Sequence, residues 1–274
     1  MPQSGSVSEN GPDKLKHIPH DRRLRVCAVS YLNTVPLVWG MLHGAERGRF
    51  ELSFSVPSEC ADRLAAGAAD IGIVPSVELP RLGLEVIPGA GIACRGAVRS
   101  ILLISKVPPE RVRLLAADAS SRTSVALARI VLARRYGAQP VVRGFPPDLP
   151  TMLEAADAAL LIGDPALRVE VERLPYAVLD LGREWVEWTG LPMVFAVWAC
   201  RAGLPPAELA PAFLNSCRFG LEHLDDIVRL EAPRRGITEA LAREYLTRRV
   251  VLELGEREYE GLRLFLSYAR ELAV

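Results

Sequence analysis

The sequence predicts an α/β protein of two lobes with a cleft between them, and three observations carry that expectation. From residue 24 to about residue 198, strand-length apolar runs alternate with helical patterns, the order that builds mainly parallel sheets with right-handed crossovers. Pro108-Pro109 divides this alternation into two blocks. At several strand ends the chain passes into a helix through short polar residues, at Ser30–Thr34, Pro75-Ser76, Ser120–Ser124 and Gly163-Asp164. In open α/β sheets such strand ends face the ligand crevice.

Each element has a local reason. Residues 24–30 form a strand, and residues 35–43 a short helix whose Pro36 falls in the first turn, where a missing N–H costs nothing. Residues 50–56 alternate as a second strand. Residues 57–67 carry Pro57 and Ser58 at one end and Gly67 at the other, which bounds a helix on both sides. Residues 69–74 read as a short apolar strand of the kind buried on both faces. Residues 84–92 and 100–105 are strands joined by a turn at Arg95-Gly96.

In the second block, residues 114–118 form a strand that enters the helix 125–136, closed by Gly137. Residues 140–144, 159–163 and 176–181 are strands, with a helix over 149–158. Residues 185–192 read as a loop before the apolar strand 193–200, and the chain beyond Pro205 reads as helical to its end. The expected division is a tail over residues 1–23, one lobe from 24–105 plus 199–274, and a second lobe from 106–198.

Composition narrows the function. With 33 basic and 33 acidic residues in 274, net charge is zero and gives no pull toward nucleic acid or an anionic membrane. Lysine occurs only at Lys14, Lys16 and Lys106, which removes a phosphate-loop lysine and leaves little room for a Schiff base. The five cysteines are scattered without a CxxC or Cys/His cluster, so neither structural zinc nor a disulfide framework is expected. Residues 1–23 lack an apolar core of the secretory kind, and no apolar run approaches bilayer length. The expectation is a cytoplasmic protein without metal or cofactor.

Catalytic signatures are sparse. His17 and His20 fall in the tail, His43 ends the first helix, and His223 sits on a late helix; none lies at a strand-end junction. HExxH, GxSxG and a dinucleotide fingerprint are missing. What remains is a set of helix starts rich in hydroxyls. Backbone N–H groups there form anion seats, although N-capping alone accounts for each junction taken singly. Arg122 offers a carboxylate fork or a solvated first-turn charge. Asp164 offers a base, an acceptor, or a turn former before Pro165. Trp185 and Trp188 offer a pocket wall or plain packing. These residues describe a two-lobed binder of a small anion and name no reaction.

The strings Ser-Tyr-Leu-Asn-Thr-Val-Pro-Leu from Ser30, Ala-Asp-Ile-Gly-Ile-Val-Pro-Ser from Ala69, Asp-Ala-Ser-Ser-Arg-Thr-Ser from Asp118, Leu-Ile-Gly-Asp-Pro-Ala-Leu from Leu161 and Trp-Thr-Gly-Leu-Pro-Met-Val-Phe-Ala from Trp188 resemble the chorismate dehydratase family, enzymes of the futalosine route to menaquinone. The resemblance runs in order from residue 24 into the terminal helices. It implies a periplasmic-binding-protein type II fold and conversion of chorismate, a small dicarboxylate, to 3-[(1-carboxyvinyl)oxy]benzoate with loss of water. It also implies pocket roles for Ser30, Asn33, Ser76, Ser100, Ser120, Ser121, Arg122, Thr123, Ser124, Gly163 and Asp164, with Asn33 and Ser100 nearest the chemistry. Arg95 and Met193 depart from the family pattern. A binder or sensor of the same fold, and the related 1,4-dihydroxy-6-naphthoate synthase, are the alternatives; the opening motif of the latter differs.

Overall fold

The computed structural model describes residues 22–273. The tail expected over residues 1–23 lies outside them, Arg22 and Arg23 excepted. The chain opens with β1 (Arg25–Val29), passes a single 3-10 turn (Leu32–Thr34) into α1 (Val35–His43), and returns as β2 (Glu51–Ser55). Then come α2 (Pro57–Ala65), β3 (Ile71–Pro75), α3 (Glu78–Leu82) and the long β4 (Glu85–Cys94). It crosses to β5 (Ile101–Ser105), β6 (Leu114–Asp118), α4 (Thr123–Tyr136) and β7 (Val141–Phe145). There follow α5 (Leu149–Ala155), β8 (Ala158–Ile162), α6 (Gly163–Leu167), β9 (Ala177–Asp180) and α7 (Leu181–Thr189). The chain crosses back into β10 (Met193–Cys200), α8 (Pro206–Glu222), α9 (Leu224–Arg234) and α10 (Glu239–Glu244). It ends through a π-helical turn (Tyr245–Arg249), β11 (Val251–Glu253) and α11 (Glu256–Glu271).

Two sheets result, in the orders β11-β4-β10-β3-β1-β2 and β7-β6-β8-β5-β9. The alternation does give parallel pairs, with β1 beside β2 and β3, and β6 beside β7 and β8. The sheets are nevertheless mixed. Strand β10 runs antiparallel to β3 and β4, β11 runs antiparallel to β4, and β5 runs antiparallel to β8 and β9. A strand that arrives from the other lobe enters its sheet from the opposite end to the local βα units, and this accounts for β5 and β10.

The crossings also lie elsewhere than expected. Residues 101–105 belong to the second sheet and residues 193–200 to the first. The first crossing is the segment before Ser100, where Arg99 adopts φ 68°. Asp180 holds it there, accepting the Val98 and Arg99 backbone N–H groups at 2.9 and 2.6 Å. Pro108-Pro109 only opens a single 3-10 turn before β6. The expected loop at residues 185–192 is mostly helix, because Asp180 caps α7 through the Arg183 N–H and Gly190 ends it at φ 72°. Near the C-terminus, β11 breaks the expected run of helices by pairing with the free edge of β4.

Two contacts fix the first lobe. Helices α1 and α8 approach until a Cβ on Gly220 would lie 2.1 Å from the Pro36 carbonyl oxygen. Between them the Ser216 hydroxyl accepts from the Met41 N–H at 3.1 Å and donates to the Leu37 carbonyl at 2.8 Å, replacing a helical hydrogen bond by a tether. This holds α1, and therefore the turn before it, in place. At the opposite end of the sheet, the buried Asp70 carboxylate accepts from the Arg25 N–H (2.9 Å) and guanidinium (3.0 and 3.1 Å), from Arg22 (3.0 Å), and from Arg201. Burial by itself pushes this carboxyl up, but the Arg25 hydrogen bonds and the Arg25 and Arg22 charges hold it at about 2.

Gly220→Ala is expected to destabilise the protein by about 1–3 kcal/mol, since backbone rather than a flexible side chain must give way. An unchanged urea midpoint would show that α1 slides freely on α8. For Asp70, a folded pKa below the unfolded value near 3.9 contributes about 2 kcal/mol above about pH 4, lost as pH falls toward 2. Asp70→Asn should therefore lower stability at neutral pH and progressively less in acid. A loss independent of pH, read from paired urea melts, would contradict the ionic account.

Candidate active site in the interlobe cleft

The site forms where strand ends of the two sheets meet. After β1 the backbone stays extended at Tyr31 and then turns through Leu32–Thr34 into α1. From the second lobe, β8 passes into α6 at Gly163, which has φ 58°; a Cβ there would lie 2.6 Å from the Tyr31 ring. Glycine is thus required twice at this position, for its backbone and for the ring that occupies its side-chain space. The next residue, Asp164, accepts the Leu32 N–H at 3.0 Å through Oδ1, while Oδ2 lies 3.1 Å from Arg235 Nε. Burial raises the Asp164 carboxyl, opposed by the Leu32 hydrogen bond and the charges of Arg235 and Arg168.

Further bonds join the lobes around this contact. Ser120 donates its hydroxyl to Asp118 at 2.7 Å, so at 3.1 Å from Tyr31 it is the phenol that donates to Ser120. The Ser58 N–H donates to the Ser120 carbonyl at 3.1 Å, and the Val77 N–H to Thr123 Oγ1 at 3.3 Å. Arg122 sets one nitrogen 2.9 Å from both Asp62 oxygens and another 3.3 Å from Glu78. The cleft is closed.

Inside it lies a cavity of about 60 Å³. Its polar lining is Tyr31, Asn33, Ser100, Ser121, Arg122, Thr123, Ser124 and Gly163, and its apolar lining includes Val29, Ile92, Val98, Ile101, Ile162 and Phe195. Ser121–Ser124 stand at the start of the 14-residue α4, whose positive end faces this space. The one formal charge in the lining, Arg122, is paired with carboxylates outside it. Among the described lining residues none is Asp, Glu, His, Lys or Cys. The described residues also contain no cluster of three or more His, Cys, Asp or Glu able to hold a metal ion.

Seven of the residues singled out from sequence meet here: Asn33, Ser100, Ser121, Arg122, Thr123, Ser124 and Gly163. Ser120 and Asp164 stand behind the wall, holding Tyr31 and Leu32. Ser30 and Ser76 are outside the cavity. The Ser30 side chain is exposed, donates to the Ser55 carbonyl at 3.3 Å, and borders a separate groove with α9. Ser76 is fully buried and donates to the Val194 carbonyl at 2.8 Å, strapping β3 to β10. The two departures from the family pattern point elsewhere: Arg95 is exposed on Glu258 at 2.7 Å, and Met193 is buried inside β10. Trp185 and Trp188 pack with Tyr268 and Phe265, away from the cavity.

Sequence reading missed Tyr31 and Tyr245. Tyr245 is buried behind the lining, accepts from Asn33 Nδ2 at 3.0 Å and donates to Ser100 Oγ at 2.9 Å. No local pattern marks it, because it falls more than 200 residues from Asn33 in a stretch that reads as ordinary helix.

The family model for menaquinone biosynthesis matches residues 24–271. The chain is 33% identical over 234 residues to the chorismate dehydratase of Thermus thermophilus, covering 79% of this chain and 84% of that one. Among solved structures, a protein of Archaeoglobus fulgidus is similar at TM-score 0.71 and 18% identity, covering 93% of this chain and 99% of that one. The periplasmic aliphatic sulphonate binding protein of Escherichia coli is similar at TM-score 0.61 and 12% identity, covering 92% and 87%. At such identities these two structures speak for the fold alone, a two-lobed periplasmic-binding-protein-like architecture. With its family model spanning nearly every described residue, the chain belongs to the menaquinone biosynthesis family.

Proposed function

We propose that this protein is a chorismate dehydratase, a cytoplasmic hydro-lyase that converts chorismate to 3-[(1-carboxyvinyl)oxy]benzoate and water. The observation that carries the reading is a cavity between the two joined lobes, lined by hydroxyls, an amide and a helix start, with no Asp, Glu, His, Lys or Cys among its described lining residues. Such a lining suits a dianion that needs holding more than it needs attack. One carboxylate sits at the α4 start, Ser121–Ser124, where backbone N–H groups and hydroxyls supply hydrogen bonds of about 1.5–3 kcal/mol each to a charged group. Arg122 adds its guanidinium at the edge of that seat.

The second carboxylate, on the enolpyruvyl side chain, lies against Asn33 and Ser100 and serves as the base. It takes the proton from C3; the released C–H pair forms the new ring double bond as the C4–O bond breaks, and the departing hydroxide leaves as water once protonated. Aromatisation drives the step. The protein's part is orientation and stabilisation of charge as it develops, for which fixed hydrogen-bond donors in a water-poor cavity suffice. Substrate entry requires the lobes to part, since Tyr31–Ser120, Leu32–Asp164 and Val77–Thr123 close the cleft.

Incubation with chorismate, followed by chromatography, is expected to yield the carboxyvinyloxy-benzoate; binding without product would favour a sensor of the same fold. Asn33→Ala should lower kcat/KM about 100-fold or more, the scale of one lost oxyanion donor, with the fold intact by circular dichroism. Near-normal turnover would remove Asn33 from the mechanism. Because burial raises the Tyr31 phenol and the substrate's own carboxylate titrates far below neutrality, kcat should stay flat between about pH 6 and 9. A break in that interval would place a titrating protein group in the step.

A further inference from the structure

We infer that Tyr245 is a positioning residue for this reaction, setting the direction in which Asn33 and Ser100 present their hydrogen bonds to the cavity. The inference rests on the reading of Asn33 and Ser100 given above. Tyr245 comes from the π-helical turn that follows α10, a local widening of the helix that is frequent at functional sites. Its hydroxyl is 1% exposed with its residue and stands outside the lining, while both of its partners stand inside it. A buried phenol placed for packing alone is satisfied by any carbonyl nearby. This one instead bridges two side chains from distant segments, the turn before α1 and the crossing before β5.

Proton counting gives the bridge its consequence. A phenol has one hydrogen to donate. Tyr245 donates it to Ser100 Oγ and accepts one Asn33 N–H. The Ser100 hydroxyl hydrogen therefore cannot point back at Tyr245 and is free to be aimed at the cavity as a donor. Asn33 is held by one of its two amide hydrogens, and its carbonyl oxygen accepts from Thr34 Oγ1 at 3.5 Å, which leaves its second N–H and one carbonyl lone pair for the cavity side. Burial keeps the phenol neutral across the working pH range, so neither bond is lost to titration. Without the hydroxyl, Asn33 and Ser100 remain in the lining but lose the partner that fixes their angles, and small errors of this kind are costly in rate.

The test is Tyr245→Phe, with Tyr245→Met as a second variant that also lacks the hydroxyl but is smaller. Either is expected to lower kcat about 10- to 100-fold with KM nearly unchanged; the urea midpoint of Y245F should stay close to that of the parent, while that of Y245M should fall through the space it leaves. Combined with Asn33→Ala and Ser100→Ala, Y245F should add little further loss, because a residue acting through these two has nothing left to act on. Wild-type kcat in Y245F, with N33A still impaired, would overturn this inference and leave the site reading standing. An additive loss in the triple variant, or a fall in kcat that tracks a fall in stability across both Tyr245 variants, would assign Tyr245 a structural role instead. Wild-type rates in both N33A and S100A would remove the site reading and this inference with it.

Discussion

The Tyr31 ring occupies the space where residue 163 has no side chain, and the spacing of the two lobes follows from that contact. Any Cβ at Gly163 would push the ring, and with it the turn that carries Leu32 and Asn33, away from the second sheet. Because the ring fits, the Leu32 N–H comes within reach of Asp164, and the Tyr31 hydroxyl within reach of Ser120. Leu32 precedes the residue assigned to the chemistry, so one packing contact between lobes also places Asn33. The α1–α8 tether at Ser216 acts on the same turn from the other side, holding the helix that follows it. A turn clamped at both ends is what a preorganised site requires.

Charge is managed in a corresponding way. The carboxylates near the cleft are each engaged outside the cavity: Asp164 with Leu32 and Arg235, Asp118 with Ser120 through Oδ1 alone, and Asp62 and Glu78 with Arg122. Apart from the Arg122 guanidinium, what the cavity itself presents is dipoles, from hydroxyls, an amide and the first turn of α4. Dipoles fixed by the fold need not reorganise as charge moves through the substrate. A neutral histidine in the lining would compete for the proton that the proposed mechanism leaves to the substrate's own carboxylate.

Much of this was legible in the residues, and the failures have a common cause. The junctions at Asn33–Thr34, Ser120–Ser124 and Gly163-Asp164 are local patterns of strand end, short polar residue and helix start, and the structure gathers them at one place. Ser30 and Ser76 share that pattern but face away, because successive side chains at a strand end point to opposite sides and composition does not say which. The crossing at Val98–Ser100 escaped notice because its positive φ is carried by Arg99, held by Asp180 from 81 residues away, where no glycine announces it. Pro108-Pro109 looked like the boundary and is only a turn inside the second lobe. The mixed sense of the sheets has the same origin, since strands that arrive by a crossing cannot be told from the local units by apolar pattern alone.

The closed cleft has to open, and the bonds that close it are of a kind that permits this. Tyr31–Ser120, Ser58–Ser120 and Val77–Thr123 join neutral groups, each contributing about 0.5–1.5 kcal/mol net because water replaces the partner on opening. Arg122–Asp62 is an exposed pair of the sort that contributes about 1 kcal/mol or less. Leu32–Asp164 is the stronger tie, yet burial raises the Asp164 carboxyl here in spite of the Leu32 hydrogen bond and the Arg235 charge. On the proposed reading, a dianionic substrate would offer the α4 start and Arg122 better partners than water does, and would do so only when both lobes surround it. Affinity that depends on closure would let the two lobes bind, enclose and then release such a substrate.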